Sequence, residues 1–366
     1  MVTRIMIMAG GTGGHVFPAL AVAQELQTRG VEVIWMGTRR GIEAKVVPDA
    51  GIPIEWVSVS GLRGKGLVSW LLAPFKLASA LFQSFVIIMR CRPMAVLGMG
   101  GFVAGPGGLM SWMLHKPLVI HEQNAIAGLT NRLLARLATT TMQAFPKALQ
   151  QKTHPQLVGN PVRAAIAALP APKARFEERS GPLRLLVLGG SLGAQSLNRV
   201  VPLAMKAVPE NERPEIWHQA GERLIDEARD GYRDQSVTAR VEPFIDDMAD
   251  AYGWADLVLC RAGALTISEL SAAGVAALLV PFPYAVDDHQ AHNAAFLVDA
   301  GAAIMVRQNE LSAEKLAELW SGFYQQCRDV VGVRTHLLSM AEKGRALAQN
   351  NAAKQVADVC MEVAHA

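Results

Sequence analysis

Ile5-Met6-Ile7-Met8-Ala9-Gly10-Gly11-Thr12-Gly13-Gly14-His15 opens the chain: a short apolar run followed at once by glycines and a histidine. This order predicts a buried strand, a tight turn and the start of a helix. Such a turn is an anion site. Backbone N–H groups point outward, the helix dipole favours negative charge, and missing Cβ atoms let a phosphate approach. The order returns twice. Ala95-Val96-Leu97 leads into Gly98-Met99-Gly100-Gly101-Phe102 and on to Gly105-Pro106-Gly107-Gly108, and Leu185-Leu186-Val187-Leu188 leads into Gly189-Gly190-Ser191-Leu192-Gly193. Strand-to-helix geometry alone explains one such turn, whereas three together point to ligands rich in phosphate, such as two diphosphates. None is a standard fingerprint. The dinucleotide pattern needs glycine or alanine at 16 or 103, where valine stands, and no Gly-x-x-x-x-Gly-Lys-Ser/Thr loop occurs.

Outward from these turns, strands and helices alternate. Strands are expected at 3–9, 31–36, 54–59, 94–98, 117–121 and 138–142, with helices such as 17–29 and 127–137 between them. Residues 160–182 hold Asn160-Pro161, Pro170, Pro172 and Gly181-Pro182 among charges, the composition of an interdomain linker. Alternation then restarts, with strands near 183–188, 214–218, 237–241, 256–259, 276–280 and 302–305. Two successive runs predict an α/β chain of two doubly wound, Rossmann-like parallel-sheet domains facing a central cleft. They would be residues 1–163 and 164–334, with a final helix at about 335–364 packing back onto the first. The length of 366 residues agrees with two domains.

Charged residues make up 18% of the chain and hydrophobic ones 51%, which suits sizeable cores and excludes disorder. Cys91, Cys260, Cys327 and Cys360 stand far apart, suggesting neither a zinc site nor a disulfide framework, and a reducing cytoplasm fits. No long apolar segment of signal type precedes the first strand. The net charge of +3 is unevenly spread: residues 1–163 hold 16 Lys and Arg against 6 Asp and Glu, a net of +10, and the remainder carries −7. A basic half faces anions. Without an aromatic-and-basic RNA motif or a recognition-helix pattern, an anionic membrane is favoured over nucleic acid.

Leu67 to Met89 is 23 residues long with one charge, Lys76. Three readings are open. The stretch forms buried crossover helices; or it is an interfacial surface whose Leu67, Trp70, Leu71, Leu72 and Phe75 dip into lipid while Arg63, Lys65, Lys76, Arg90 and Arg92 meet headgroups; or it spans a bilayer. Pro74, Gln83 and the disruption of a crossover argue against the span.

Four groups carry candidate chemistry. His15 sits at a helix start, which disfavours the protonated ring, so it is either a proton-accepting base or a positioning hydrogen-bonding group. His121-Glu122-Gln123-Asn124 follows the strand Leu118-Val119-Ile120, where doubly wound folds bind ligands. Asn124 suits sugar hydroxyls or an acetamido group, and His121 and Glu122 stand next to His15 as candidate bases. Gly263 to Thr266 would open a helix facing a phosphate, with Glu269 one turn further in to accept two ribose hydroxyls or merely to offset the dipole. Asp287-Asp288-His289-Gln290 is either a solvated loop touching sugar hydroxyls or, less simply, a metal site.

Together these motifs resemble one family. Gly10-Gly11-Thr12-Gly13-Gly14-His15-Val16-Phe17-Pro18, Gly98-Met99-Gly100-Gly101-Phe102, His121-Glu122-Gln123-Asn124, Gly159-Asn160-Pro161-Val162-Arg163, Gly189-Gly190-Ser191, Phe244-Ile245-Asp246-Asp247-Met248 and Arg261 to Glu269 are similar, in order, to blocks of the bacterial peptidoglycan N-acetylglucosaminyltransferases. The resemblance implies a GT-B fold and no cofactor or bound metal. It implies inverting transfer of N-acetylglucosamine from UDP-N-acetylglucosamine to undecaprenyl-diphospho-N-acetylmuramoyl-pentapeptide, forming lipid II. Ile245 would hold uracil through its backbone. Ser191 and the Ala264-Leu265-Thr266 turn would hold the diphosphate, and Ile267 and Ser268 complete that stretch up to Glu269, which would take the ribose. Gln290 and Asn124 would contact the sugar, Thr12, Gly13 and Gly14 would line the cleft, and Arg163 would sit at the domain junction. Gly11, Gly100, Gly101 and Gly105 would hold the acceptor diphosphate. Leu67, Trp70, Leu71 and Phe75 would meet the cytoplasmic face of the inner membrane, where other cell-wall or division proteins could be partners. The loop Pro283-Tyr284-Ala285-Val286-Asp287-Asp288-His289-Gln290 departs from a fixed pattern. A non-catalytic recruiting subunit would carry one half of this architecture, whereas both halves are present here.

Overall fold

The computed structural model describes residues 2–59, 72–190 and 193–366. It divides into two compact units, Met1–Val162 with Gln349–Ala366, and Arg163–Ala348.

The first unit runs β1 (Arg4–Met8), α1 (Gly13–Thr28), β2 (Glu32–Gly37), α2 (Glu43–Asp49), β3 (Ile54–Trp56), α3 (Ala73–Cys91), β4 (Ala95–Gly98), α4 (Ala104–Met113), β5 (Leu118–Glu122), α5 (Leu129–Leu134), β6 (Thr140–Gln143) and β7 (Gln156–Leu157). The described strands form one parallel sheet in the order β3-β2-β1-β4-β5-β6-β7. Its central strands are buried on both faces, so they read as unbroken apolar runs. Ile5 and Ile7 face Val16, Ala19, Val22 and Leu26 of α1, while Met6 and Met8 join Ile88 of α3 and Val103 in a second core.

The second unit runs α6 (Ala164–Ala167), α7 (Pro172–Glu177), β8 (Arg184–Leu188), α8 (Gln195–Ala207), β9 (Glu215–Gln219), α9 (Ile225–Asp234), β10 (Arg240–Glu242), α10 (Met248–Trp254), β11 (Leu257–Cys260), α11 (Ala264–Ala273), β12 (Ala276–Leu279), α12 (His289–Val298), β13 (Ala303–Met305), α13 (Ala313–Cys327) and α14 (Val330–Ala346). Its strands, also parallel, stand in the order β10-β9-β8-β11-β12-β13. A last helix, α15 (Ala352–His365), returns to the first unit.

Two expectations are corrected here, and one strand was not foreseen. The helix expected at 335–364 is two helices: α14 buries Val333, Leu337 and Met340 in the second core, and α15 buries Val356, Ala357, Cys360 and Val363 in the first. Each piece carries its own apolar face, and a turn at 347–351 separates them. The presumed linker is folded into the second unit. Arg175 donates to the carbonyls of Tyr252 (3.0 Å) and Ala273 (2.7 Å), capping the ends of α10 and α11, and Arg179 pairs with fully buried Asp256. The short edge strand β7, with no buried side chain, carried no apolar signal.

In each sheet the order reverses direction between two neighbouring strands, β1 and β4 in the first and β8 and β11 in the second. Doubly wound folds bind ligands at the carboxyl ends of such a pair. The first two glycine turns follow β1 and β4. The third follows β8, and the Arg261–Gly263 turn follows β11. At the first switch point the turns touch: Gly101 has φ +82°, and a Cβ there would overlap the carbonyl oxygen of Gly10. Gly30, at the end of α1, has φ +74° with open space around it. Gly30→Ala therefore adds only backbone strain, about 1 kcal/mol, whereas Gly101→Ala adds strain and overpacking, about 3 kcal/mol or more. Urea titration of the two variants checks this, and equal losses would refute the close-approach reading.

Candidate active site

At the first switch point, α1 begins behind Thr12, whose extended backbone (φ −105°, ψ 162°) turns the chain into the helix without a side-chain cap. This presents Gly13 and Gly14 at the helix start. Gly11 differs from expectation. Its N–H donates to Glu43 Oε2 at 3.0 Å, and Glu43 Oε1 accepts from Thr38 N (3.0 Å) and Thr38 Oγ1 (2.7 Å). Glu43 is fully buried. The protein's own carboxylate thus occupies the Gly11 donor, so Gly11 offers a phosphate neither a free N–H nor a favourable field. Gly101 serves backbone packing, as described above. Gly105 lies in the first turn of α4, where a Cβ would make ordinary contact with Thr130.

The second turn serves the histidine. Gly100 has φ +98°, and a Cβ there would lie 2.8 Å from His15 Nδ1, so glycine makes room for the ring. On the other side His15 Nδ1 meets Gln123 Oε1 at 2.9 Å.

Glu122 and His121 turn out to be internal supports. Glu122 is 1% exposed. Its Oε1 accepts from Asn124 N (2.8 Å) and Nδ2 (3.2 Å), and its Oε2 accepts from Gly128 N (3.2 Å) and Asn131 Nδ2 (2.9 Å). Both oxygens are spent on shaping the loop that carries Asn124. His121 is fully buried with Nε2 on the Gly159 carbonyl at 2.9 Å, and burial pushes its pKa down to about 4. Both side chains are thus engaged inside the protein.

In the second domain, Ser191 lies outside the described residues. Glu269, on α11, is 5% exposed. Its Oε1 accepts from Arg163 Nη2 at 2.8 Å and Nε at 3.2 Å, and its Oε2 accepts from the Tyr252 hydroxyl at 3.2 Å. Burial raises its pKa, and Arg163 and Tyr252 partly offset this. Ala264, Leu265 and Thr266 form the first turn of α11 behind Gly263, which brings no side-chain cap. Ile267 is fully buried, and Ser268 Oγ donates back to the Ala264 carbonyl at 3.1 Å, so these two side chains serve the core and the helix. Ile245 is 2% exposed, and its N–H donates to Gln219 Oε1 at 3.3 Å. In the variable loop, Asp288 pairs with Arg307 at 2.7 Å, and Gln290 Oε1 accepts from Phe282 N at 2.9 Å.

Leu67, Trp70 and Leu71 also lie outside the described residues. Phe75 is 74% exposed in the first turn of α3. Ala80, Ser84, Ile87, Ile88 and Cys91 bury one face of this helix, while Phe82, Phe85, Val86 and Met89 stand exposed. By length and composition alone, α3 is the one described helix able to cross a membrane. Its docked face favours the interfacial reading.

Comparison with known proteins identifies the family. Residues 5–143 match the glycosyltransferase family 28 N-terminal domain, and residues 184–359 match the family 28 C-terminal domain. The UDP-N-acetylglucosamine--N-acetylmuramyl-(pentapeptide) pyrophosphoryl-undecaprenol N-acetylglucosamine transferase of Nitrosococcus oceani is 54% identical over 364 residues, covering 100% of this chain and 99% of its own. The protein of the same name from Marinobacter nauticus is 52% identical, covering 99% and 98%. The crystal structure of Acinetobacter baumannii MurG superposes with a TM-score of 0.84 at 41% identity, covering 98% of this chain and 99% of that one. The chain belongs to glycosyltransferase family 28. It is an N-acetylglucosaminyltransferase of the GT-B fold.

Within this family 28 chain, five residues that build the sites carry no role in the sequence analysis, although Gln123 and Arg261 fall inside its motifs. Glu43 clamps the first turn, Gln123 holds His15, Tyr252 and Gln219 support Glu269 and Ile245, and Arg261 braces the β11 turn. Arg261 Nη2 donates to Ser196 Oγ at 2.9 Å and Gln308 Oε1 at 2.6 Å. Their partners are distant in sequence, and no local pattern marks them.

Proposed function

We propose that this family 28 glycosyltransferase moves N-acetylglucosamine from UDP-N-acetylglucosamine to the 4-hydroxyl of undecaprenyl-diphospho-N-acetylmuramoyl-pentapeptide. The product is the lipid-linked disaccharide precursor of peptidoglycan. The observation that carries this is identity above 50% over the full chain with transferases named for that donor and acceptor. The paired switch points, one in each domain, supply the physical rationale, since each substrate is a diphosphate.

In the reaction, the acceptor's 4-oxygen forms its bond to the anomeric carbon from the face opposite UDP. The bond from that carbon to the diphosphate oxygen breaks, and configuration inverts. His15 takes the hydroxyl proton, and the electron pair leaves with UDP. Amides at the start of α11, with Ser191, stabilise the charge that builds on the departing diphosphate. Glu269 takes the ribose, the Ile245 backbone takes the uracil, and Gln290 and Asn124 contact the sugar. Gly13 and Gly14 at the start of α1, with the Gly100 turn, serve the acceptor diphosphate. The enzyme works peripherally on the cytoplasmic face of the inner membrane. The exposed apolar side of α3 enters the interface, and the basic residues around it meet anionic headgroups.

Incubation of the chain with radiolabelled UDP-N-acetylglucosamine and a lipid-linked muramoyl-peptide acceptor should yield labelled lipid, and label released only as free sugar or retained in UDP-sugar would refute the transfer. Glu269→Ala should weaken donor binding in calorimetry by about 2–3 kcal/mol, the worth of hydrogen bonds to a charged acceptor; unchanged binding removes the ribose role. His15→Gln keeps hydrogen bonding but cannot serve as a base near neutral pH, and should lower kcat by roughly 10²–10⁴-fold with donor binding intact. Near-normal kcat would make His15 a positioning residue.

Vesicle sedimentation tests the membrane reading. Binding to anionic vesicles should weaken as salt rises, because exposed charges are screened within about 10 Å at 0.1 M. Phe75→Ser with Phe82→Ser should reduce binding further at any salt. Binding indifferent to both changes would remove α3 from the interface.

A further inference from the structure

We propose that Gln123, seated on His121, sets which nitrogen of His15 carries its proton and so leaves Nε2 as the proton acceptor of the ring. The inference rests on the reading of His15 as the base. It follows from a chain of contacts in which each partner has one available role.

The chain starts at a backbone carbonyl. The Gly159 oxygen can only accept, so His121 Nε2, 2.9 Å away, carries a hydrogen. His121 is fully buried, and burial favours its neutral ring, so Nδ1 is bare and accepts. The Gln123 side-chain nitrogen lies 3.1 Å from that Nδ1 and 3.1 Å from the His121 carbonyl oxygen. Both are acceptors, so the group facing them must be the amide NH2, with one hydrogen for each. This fixes the amide orientation and leaves Gln123 Oε1 pointing at His15 Nδ1, 2.9 Å away. That oxygen can only accept, so His15 Nδ1 donates. A neutral imidazole has one ring proton, and Nε2 is therefore the lone-pair nitrogen.

The surroundings hold this arrangement. Gln123 is 1% exposed, so water does not compete for its amide. Its backbone carbonyl accepts from Asn160 Nδ2 at 3.0 Å. Gly159 has φ +79°, and a Cβ there would lie within 3 Å of the Gln349 side chain, so glycine is required to aim its carbonyl at His121. The Gly159-Asn160 pair, which stood in the sequence as a motif without a task, thus anchors both ends of the Gln123–His121 unit. Gly100 closes the other side of the His15 ring. A neutral amide here does what a carboxylate does in the Ser-His-Asp triad: it orients the imidazole and selects its tautomer.

The test uses the full chain labelled with 15N in its histidine rings. Long-range 1H–15N spectra of the neutral His15 ring should show a protonated Nδ1 and a bare Nε2. The opposite tautomer, or an equal mixture, overturns the proposal, and this measurement needs no variant at the relay. Gln123→Met keeps the volume of the side chain but removes the amide. It should bring the two His15 nitrogens towards averaged shifts and lower kcat by roughly 10–10³-fold, less than the ~10⁴-fold loss that a wrong tautomer costs in the protease triad. The donor KM should change less than about twofold, because the loss is confined to the transition state. Unchanged His15 shifts and unchanged kcat in a folded Gln123→Met enzyme would also overturn the proposal. The base reading fails separately: if His15→Gln retains kcat, His15 is not the base, yet the spectra still decide its tautomer.

Discussion

The first domain depends on two backbones meeting without side chains. Gly101 packs against the Gly10 carbonyl, in a conformation open only to glycine. That contact brings the ends of β1 and β4 together at the point where the sheet reverses its order. Because the turns touch, the start of α1 and the Gly100 turn converge on His15. A Cβ at either Gly100 or Gly101 would push them apart. The glycines of the second turn are therefore needed for packing and for the histidine.

A second constraint is electrostatic. Two fully or almost fully buried carboxylates, Glu43 and Glu122, lie beneath the first site, and each is held by backbone and amide donors. A buried carboxylate must be satisfied in this way. The cost is that Gly11 has already given its N–H to Glu43 and cannot give it to substrate. At the start of α1, Thr12 leaves Gly13 and Gly14 without a side-chain cap. The glycine-rich turn is thus partly an internal anion site, filled by the protein itself.

Much of this was legible in the sequence because it is local. Parallel strands buried on both faces show as apolar runs, and turns requiring positive φ show as glycine. Together these exposed both sheets and all three turns. The final helix and the linker differ from expectation for one reason: proximity in sequence is not continuity in space. Val333 and Val363 belong to different cores although both sit in helical pattern, and the charges of 160–182 looked like a solvated connection until Arg175 and Arg179 were seen capping buried carbonyls. Glu43 was hidden because an acid in a short helix ordinarily faces water. Gln123 was hidden because an amide inside a polar run gives no sign of which neighbour it orients.

The second domain solves the opposite problem. Glu269 is buried, and burial alone favours its neutral form. Arg163 and Tyr252 each donate to one of its oxygens and pull it back toward ionisation. The three hydrogen bonds, two from Arg163 and one from Tyr252, leave about one of the roughly four acceptor sites of an ionised carboxylate. Arg163 is well exposed on its own side, at 46% of its side chain, so it supplies charge without being desolvated in turn. A fully buried partner would have paid the cost of burial twice. Pairing one buried acid with one exposed base offsets part of what burial does to the acid. The arrangement also couples Arg163, the first residue of the second unit, to the site on α11.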